Sequence, residues 1–437
     1  MSQQQDRPYD FVGVGFGPAN LALAIALEEH NAQAAPADRL TAVFVERQPR
    51  FGWHRGMLIE GATMQVSFLK DLATMRNPVS DFGFLSYLKD KDRLVDFINH
   101  KTFFPTRTEF HDYFMWAADR VSHLVRYDNE AIAVQARTDG SGEAAEVEVT
   151  VAGGDVLRAR NLVISGGLQP VMPPGVQQSE RVWHNQALLT NLAEYAGPEP
   201  QRWTVIGAGQ SAAEVADYLH RTYPGAEICS VFSRYGYSPA DDSPFANRIF
   251  DPEAVDLFHG ASEDVKDQLF AYHRGTNYSV VDMDLIEELY RRVYQEKVLG
   301  HERLRLLNAC RVLDVREVPG GARTTYEFLP TGERTVLDSD VVVCATGYEP
   351  FDALGLLGPV GDHVLRDDQG RPRVERDYRI ATAPNVTAGL YLQGGTEHTH
   401  GITSSLLSNA AVRAGEILES ILDRETDPRA TEAVSLH

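Results

Sequence analysis

Residues 12–30, VGVGFGPANLALAIALEEH, decide how this chain folds. An apolar β-type run enters a cluster of glycines and leaves it with apolar residues at helical spacing, which reads as strand, tight turn and helix. Gly15 permits the tight turn, and Gly17 lets a diphosphate approach the backbone. Pro18 then opens a helix whose unpaired N–H groups and positive dipole end suit an anion. Asn20 stands at the third position of the fingerprint, where glycine is usual. The next strand, TAVFVER over 41–47, ends at Glu46, whose carboxylate is placed to bond the ribose hydroxyls of an adenosine half. Alone, this pattern also fits an ordinary strand-to-helix turn.

A second copy removes that ambiguity. WTVIGAGQSAAEVADYLH, residues 203–220, repeats strand, glycine turn and helix with Gly207, Gly209 and Ala212 at the three positions. Two such units in correct context make an α/β chain with two Rossmann-like dinucleotide-binding domains. The strand closing the second unit, EICSVFSRYGY, has no acidic residue at its end and carries Arg234 there. A guanidinium at that place suits a 2′-phosphate, so the second nucleotide is expected to be NADPH; the plainer alternative is a surface arginine.

Composition sets the outer limits. With 437 residues, 43% of them hydrophobic, the chain can bury a large core divided among two or three domains. A formal charge of −21 argues against nucleic acid and anionic membranes as partners. Cys229, Cys310 and Cys344 form no CxxC pair, so no disulfide framework, zinc site or redox dithiol is indicated and a reducing cytoplasm fits. MSQQQDRPYD lacks the regions of a signal peptide, and no apolar run reaches spanning length.

Between and beyond the two units, residues 31–39 read as a surface loop, and Thr106 or Thr108 caps a helix with an aromatic core face at Phe110, Tyr113, Phe114 and Trp116. Residues 131–160 alternate as an antiparallel meander, and 236–300 turn helical, starting a helix at Asp251–Pro252. The apolar strand of DSDVVVCATGYEP, with Thr346 and Gly347 at its end, is expected against the first nucleotide. The boundaries so drawn are 7–188 with 340–423 for the first nucleotide domain, 189–235 with 301–339 for the second, 236–300 for a helical substrate-binding insert, and 424–437 for a disordered tail.

Several stretches outside the glycine turns carry a resemblance: MQVSFLKDLATMRNP, PTRTEFHDYFMWA, FANRIFDP, TNYSVVD, ATGY and QGGTEHTHGITSSLLSN. With GFGPAN and GAGQSAAE, they make the chain similar to the flavin-dependent N-hydroxylating monooxygenases, and within them most similar to the L-ornithine N5-monooxygenases of hydroxamate siderophore and related biosynthesis. The resemblance covers residues from about 8 to 420. It implies FAD on the first unit, near Gly15, Gly17, Pro18, Asn20, Glu46, Trp53, His54 and Gln65, and NADPH on the second, near Gly209, Gln210, Ser211 and Arg234. It also implies N-hydroxylation of the ornithine side-chain amine through a flavin C4a-hydroperoxide, with O₂ as co-substrate, and a homodimer or homotetramer.

For the substrate, the resemblance points to Lys70, Asn247, Asn277 and Ser408. Lys70 lies in an apolar, small-residue context unusual for a solvated lysine and would supply the charge that anchors the α-carboxylate; the bland alternative is a structural lysine. Asn247 and Asn277 can hydrogen-bond the α-carboxylate and α-amine, or be turn residues. Asn277 is also placed near the flavin or nicotinamide ribose, and Ser408 is the weaker substrate contact. His398 and His400 form an HxH pair without a supporting carboxylate or cysteine, which argues against a metal, and the resemblance implies a place for them near the two cofactors.

Other classes remain. A dithiol flavin reductase needs a cysteine pair. A Baeyer–Villiger or S-oxidising enzyme usually shows FxGxxxHxxxW before the second unit, of which 168–189 keep only His184. A redox sensor would lack the substrate residues. Lysine differs from ornithine by one methylene, worth ~1–3 kcal/mol in a pocket, and diamines such as putrescine or cadaverine lack the carboxylate Lys70 would bind.

Overall fold

A computed structural model describes residues 7–138, 140 and 142–426, apart from the side chains of residues 405, 425 and 426. β1 (Tyr9–Val14) leads through the glycine turn into α1 (Pro18–Gln33), and β2 (Ala42–Val45) returns parallel to β1 with Val43 opposite Val12. Pro18 and every residue from Asn20 to Leu27 are buried, so the N-terminal half of α1 has almost no solvent face. Leu21, Leu23, Ile25 and Leu27 are each fully covered, at about 1.5–3 kcal/mol of transfer free energy apiece. The loop expected over 31–39 begins only after Gln33.

An extension follows with α2 (Phe84–Asp90), α3 (Leu94–His100) and α4 (Arg107–Arg120). Thr106 caps α4, its Oγ1 accepting from the Glu109 amide at 3.2 Å. Phe110, Tyr113 and Phe114 are fully buried against α1, while Trp116 is half-buried and donates to Asp90. β3 (Val125–Arg126) pairs with β2, and β4 (Ala131–Thr138), β5 (Ala144–Val151) and β6 (Val156–Ile164) form the expected antiparallel meander. β6 then pairs with β1 in parallel, so a single strand joins meander and nucleotide-binding sheet.

After β7 (Leu168–Pro170), the second sheet is built from β8 (Val182–His184), β9 (Arg202–Ile206), β10 (Glu227–Val231), β11 (Leu304–Leu307) and β15 (Val341–Cys344), all parallel in the order β11-β10-β9-β15-β8. Two helices of this unit are α5 (Leu188–Glu194) and α6 (Gln210–Thr222); α7 (Pro252–His259), α8 (Glu263–His273) and α9 (Met283–Leu299) form the insert. β12 (Cys310–Val318), β13 (Gly321–Phe328) and β14 (Glu333–Ser339) make a separate antiparallel sheet. β16 (Tyr348–Pro350) pairs with β7, and after α10 (Ala353–Leu357) the chain completes the first sheet with β17 (Gly389–Leu392), parallel to β6. α11 (Glu397–His400) and α12 (Ala410–Thr426) close the chain, α12 packing on α1.

Three boundaries move. β8 and β15, assigned to the first domain by the limits at 188 and 340, belong to the second sheet: Val343 lies opposite Val205 on one side and Trp183 on the other. Short apolar strands of this kind fit either sheet by composition, and only backbone pairing decides. Of the tail expected over 424–437, Arg424–Thr426 instead continue α12, and residues 427–437 lie outside the described part. Among the described residues no helix is long and apolar enough to cross a membrane.

Candidate active site

The C-terminal ends of the strands in both parallel sheets open on one cavity of about 2010 Å³. That is about twice the upper range of an ordinary small-molecule pocket, roughly 1,000 Å³, and leaves room for two nucleotides and a substrate. Its position obeys the rule for open α/β sheets, in which ligands lie beyond the carboxyl ends of parallel strands.

In the first cradle Gly15 has φ +80°, and a Cβ there would stand 2.3 Å from the Ser165 carbonyl oxygen. Gly17 differs: a Cβ there would meet nothing within 4 Å, so this backbone faces open cavity at the start of α1. No side chain caps that helix, and its first turn carries no acidic residue. Free N–H groups beside an open backbone are what a diphosphate requires. Glu46 is fixed by two backbone amides, Oε2 accepting from Phe16 in the glycine turn at 2.7 Å and Oε1 from Gln48 at 2.9 Å, with lone pairs left for a ribose. The donor set and open backbone therefore fit FAD.

Pro18, Trp53, His54 and Gln65 line the same cavity, whereas Asn20 does not. Asn20 is buried and braces the turn, its Nδ2 donating to the Gly15 carbonyl at 2.7 Å and its Oδ1 accepting from Gln393 at 2.9 Å. His54 is open to the cavity yet surrounded by protein at longer range. Burial, then the charge of Arg107, lowers its pKa to about 4, leaving the ring neutral at pH 7.

The second cradle repeats the geometry. Gly207 has φ +138°, and a Cβ there would stand 2.3 Å from the Ala345 carbonyl oxygen. Gly209 begins α6 without a side-chain cap, and Gly209, Gln210 and Ser211 line the cavity with Thr346 and Gly347. This uncapped helix start fits a second diphosphate. Arg234 lies outside the cavity wall, exposed, and donates to the carbonyl of Ser279, which does line it.

Lys70, Asn247, Asn277 and Ser408 come from four distant segments and share the cavity wall. Lys70 is half-buried, and among the described residues its ammonium has no hydrogen bond or ion pair. Asn247 donates to the Asp242 carbonyl at 2.9 Å, keeping its amide oxygen free to accept, and Ser408 is buried at the approach to α12.

The model of the family described as L-lysine 6-monooxygenase/L-ornithine 5-monooxygenase matches residues 7–350. The chain belongs to this family. An L-ornithine N(5)-monooxygenase of Burkholderia cepacia is 40% identical, with 91% of each chain covered. The ornithine N-hydroxylase of Kutzneria sp. 744, solved with reduced FAD, NADP⁺ and L-ornithine, is 48% identical over 96% of this chain and all of its own, with a TM-score of 0.92. The ornithine hydroxylase of Pseudomonas aeruginosa is 35% identical over 95% of this chain and 99% of its own, with a TM-score of 0.88.

Sequence reasoning overlooked several polar groups that this family member gathers around the cavity. Arg107 forms a two-pronged pair with Glu214, at 2.9 and 2.7 Å, and donates to the Met57 carbonyl at 3.0 Å. The pair ties the extension of the first unit to α6 of the second, and Gln210 joins it by donating to Glu214 and Asp282, both at 3.1 Å. Helical spacing of Gln210 and Glu214 was the available signal; their partners were not visible locally. Next to Lys70, Asp71 is buried and accepts from the amides of Ala73, Thr74 and Phe84, which fixes the loop that presents the lysine.

The HxH pair falls elsewhere than expected. His398 meets the Pro372 carbonyl, and His400 meets the Arg376 carbonyl while stacking on Tyr378 at 4.1 Å; neither histidine lines the cavity. Among the described residues no group of three or more His, Cys, Asp or Glu could hold a metal ion. The three thiols are buried, and burial raises their pKa values.

Proposed function

We propose that this family member is an L-ornithine N5-monooxygenase that uses FAD, NADPH and O₂ to convert the side-chain amine to N5-hydroxyornithine, for hydroxamate siderophore or related biosynthesis. The observation that carries the reading is the unpaired Lys70 ammonium on the wall of a cavity that two nucleotide cradles share. Bound FAD, reduced by NADPH, supplies the activated oxygen, one atom of O₂ going to the amine and the other to water.

The chain's own residues bind and orient. Gly17 and the start of α1 take the FAD diphosphate, Glu46 its ribose, and Trp53, His54 and Gln65 border the space beyond. Gly209, Gln210 and Ser211 take the second diphosphate, and Arg234 reaches the 2′-phosphate from the rim. Lys70 anchors the ornithine α-carboxylate, Asn247 and Asn277 hydrogen-bond its α-groups, and Ser408 lines the same pocket. Holding one end at fixed places delivers the δ-amine at a fixed distance from the flavin. The amine must be a free base, yet alkylammonium groups titrate at about 10.4 in water. A partly desolvated pocket disfavours the cation and releases the proton to solvent. His54, neutral at pH 7, adds no second positive charge to this wall.

A carboxylate anchor favours an amino acid over putrescine or cadaverine. The reading extends to a homodimer or homotetramer in the cytoplasm, where three buried thiols stay reduced. The test is hydroxylamine formation, followed with NADPH oxidation and peroxide release, with ornithine, lysine, putrescine and cadaverine in parallel. Product chiefly from ornithine is expected. Product chiefly from a diamine would remove the role given to Lys70, and peroxide without hydroxylamine from all four would place the substrate elsewhere.

A further inference from the structure

Arg413 is a charged residue of the cavity wall to which the reading above assigns no task. It lies near the start of α12, is 3% exposed, and is flanked along the helix by buried Ala410, Ala411 and Ala414. Its Nε donates to Gln393 Oε1 at 3.4 Å and its Nη1 to the Ser404 carbonyl; Nη2 has no partner among the described residues. No carboxylate among those residues lies within ion-pair distance of it. The Tyr378 phenol and Glu416 are the acidic groups whose fields reach it, and Glu416 has both oxygens on Arg376, at 2.8 and 3.1 Å. A buried cation without its own anion is among the costliest arrangements a fold can keep.

The side chains around Arg413 show which anion would relieve it. Gln393 Nε2 donates to Asn20 Oδ1 at 2.9 Å, and Asn20 donates to the carbonyls of Gly15 and Val14 at 2.7 and 3.3 Å. An unbroken run of hydrogen bonds thus joins the guanidinium to the turn of the first cradle. Gln393 lines the cavity beside Gly394 and Gly395, and Arg413 shares this wall just past the end of β17.

We propose that Arg413 is the fixed counter-cation of the flavin cofactor, held by Gln393 and Ser404 to face negative charge on that ligand, either its diphosphate or its ring once reduced. The inference rests on the reading of the first cradle as an FAD site. Asn20 and Gln393 are then positioning residues acting through Arg413, which gives the unusual third fingerprint position a purpose.

The test compares the wild-type holoprotein with Arg413→Met and Arg413→Lys. Two quantities are read: the dissociation constant of FAD from each apoprotein, by flavin fluorescence, and the midpoint potential of the bound flavin, by dye equilibration. Arg413→Met is expected to weaken binding of at least one redox state tenfold or more, with Arg413→Lys between it and wild type. If the charge faced is the diphosphate, oxidised and reduced forms lose affinity together and the potential holds. If it is the reduced ring, oxidised affinity holds, and each tenfold selective loss lowers the potential by about 30 mV. Unchanged affinity and potential in Arg413→Met overturn the proposal, as does a rise in the KM for ornithine with both flavin quantities unchanged. Should Arg413→Met fail to fold, the same two readings on Arg413→Lys decide. A wild-type protein that bound no FAD would instead sink the proposed function.

Discussion

Replacing Lys70 by alanine removes the cation proposed to anchor the α-carboxylate of ornithine, a group that a diamine lacks. The lysine is half-buried on the cavity wall and has no partner among the described residues, so no compensating carboxylate is stranded by the change. A unit charge pair at about 4 Å is worth ~4 kcal/mol at an effective dielectric constant near 20. Side-chain ordering and loss of hydration leave about 1.5–3 kcal/mol for a charge-assisted hydrogen bond. At 1.4 kcal/mol per decade, the apparent KM for ornithine should rise roughly 10- to 150-fold. NADPH-driven flavin reduction, followed by stopped-flow absorbance without substrate, should stay within about twofold. Putrescine is the internal control: it has no carboxylate, so whatever slow hydroxylation it supports should be untouched. Equal losses for ornithine and putrescine would show a structural lysine, and an unchanged KM for ornithine would refute the anchor.

Three further perturbations separate fold from ligand. Gly17→Ala puts a methyl into open space, so urea unfolding of the apoprotein should be unchanged while FAD affinity falls at least tenfold; Gly15→Ala, with φ +80° and a Cβ 2.3 Å from a carbonyl oxygen, should itself be destabilised by more than 1 kcal/mol. Arg107→Ala leaves the buried Glu214 without a counter-charge and with only Gln210 donating to it, which should cost about 3–5 kcal/mol in chemical denaturation, whereas Arg107→Met combined with Glu214→Met should recover most of it; a single variant as stable as wild type would contradict the brace. His400 is held neutral, its pKa lowered to about 3 first by burial, so the unfolded chain binds its proton below about pH 6.5 and the native one does not. Stability contributed this way is complete above pH 6.5 and drains as pH falls toward 3. His400→Leu should flatten the unfolding free energy by up to about 1.4 kcal/mol per pH unit between 6 and 4, and parallel wild-type and variant profiles would refute it.

How much was legible can be followed residue by residue. Gly15 and Gly207 were readable because each sits at a positive φ beside a carbonyl that leaves no space for a Cβ, a constraint acting within one turn. Thr106 was readable because a cap and its N3 amide are three residues apart. Lys70 stood out as a cation in an apolar setting, but that it has no partner among the described residues required the fold. Arg234 and Asn20 show the limit: the motif positions are occupied, yet one side chain lies at the rim on Ser279 and the other braces the turn. Arg107, Glu214 and Arg413 escaped because their partners are 107, 107 and 20 residues away or belong to a ligand.

Local sequence sufficed for the two strand–turn–helix units, the helical insert that follows the second, and the residue types available for an anionic nucleotide and an amino-acid substrate. These follow from backbone sterics and side-chain periodicity, which act over a few residues. Only the assembled fold shows that β8 and β15 join the second sheet, that Lys70, Asn247, Asn277 and Ser408 meet on one wall, and that Arg413 faces the cavity without a carboxylate of its own among the described residues. Strand partners and buried charges are chosen by hydrogen bonds and fields between segments from twenty to well over a hundred residues apart, and no local window contains both members of such a pair.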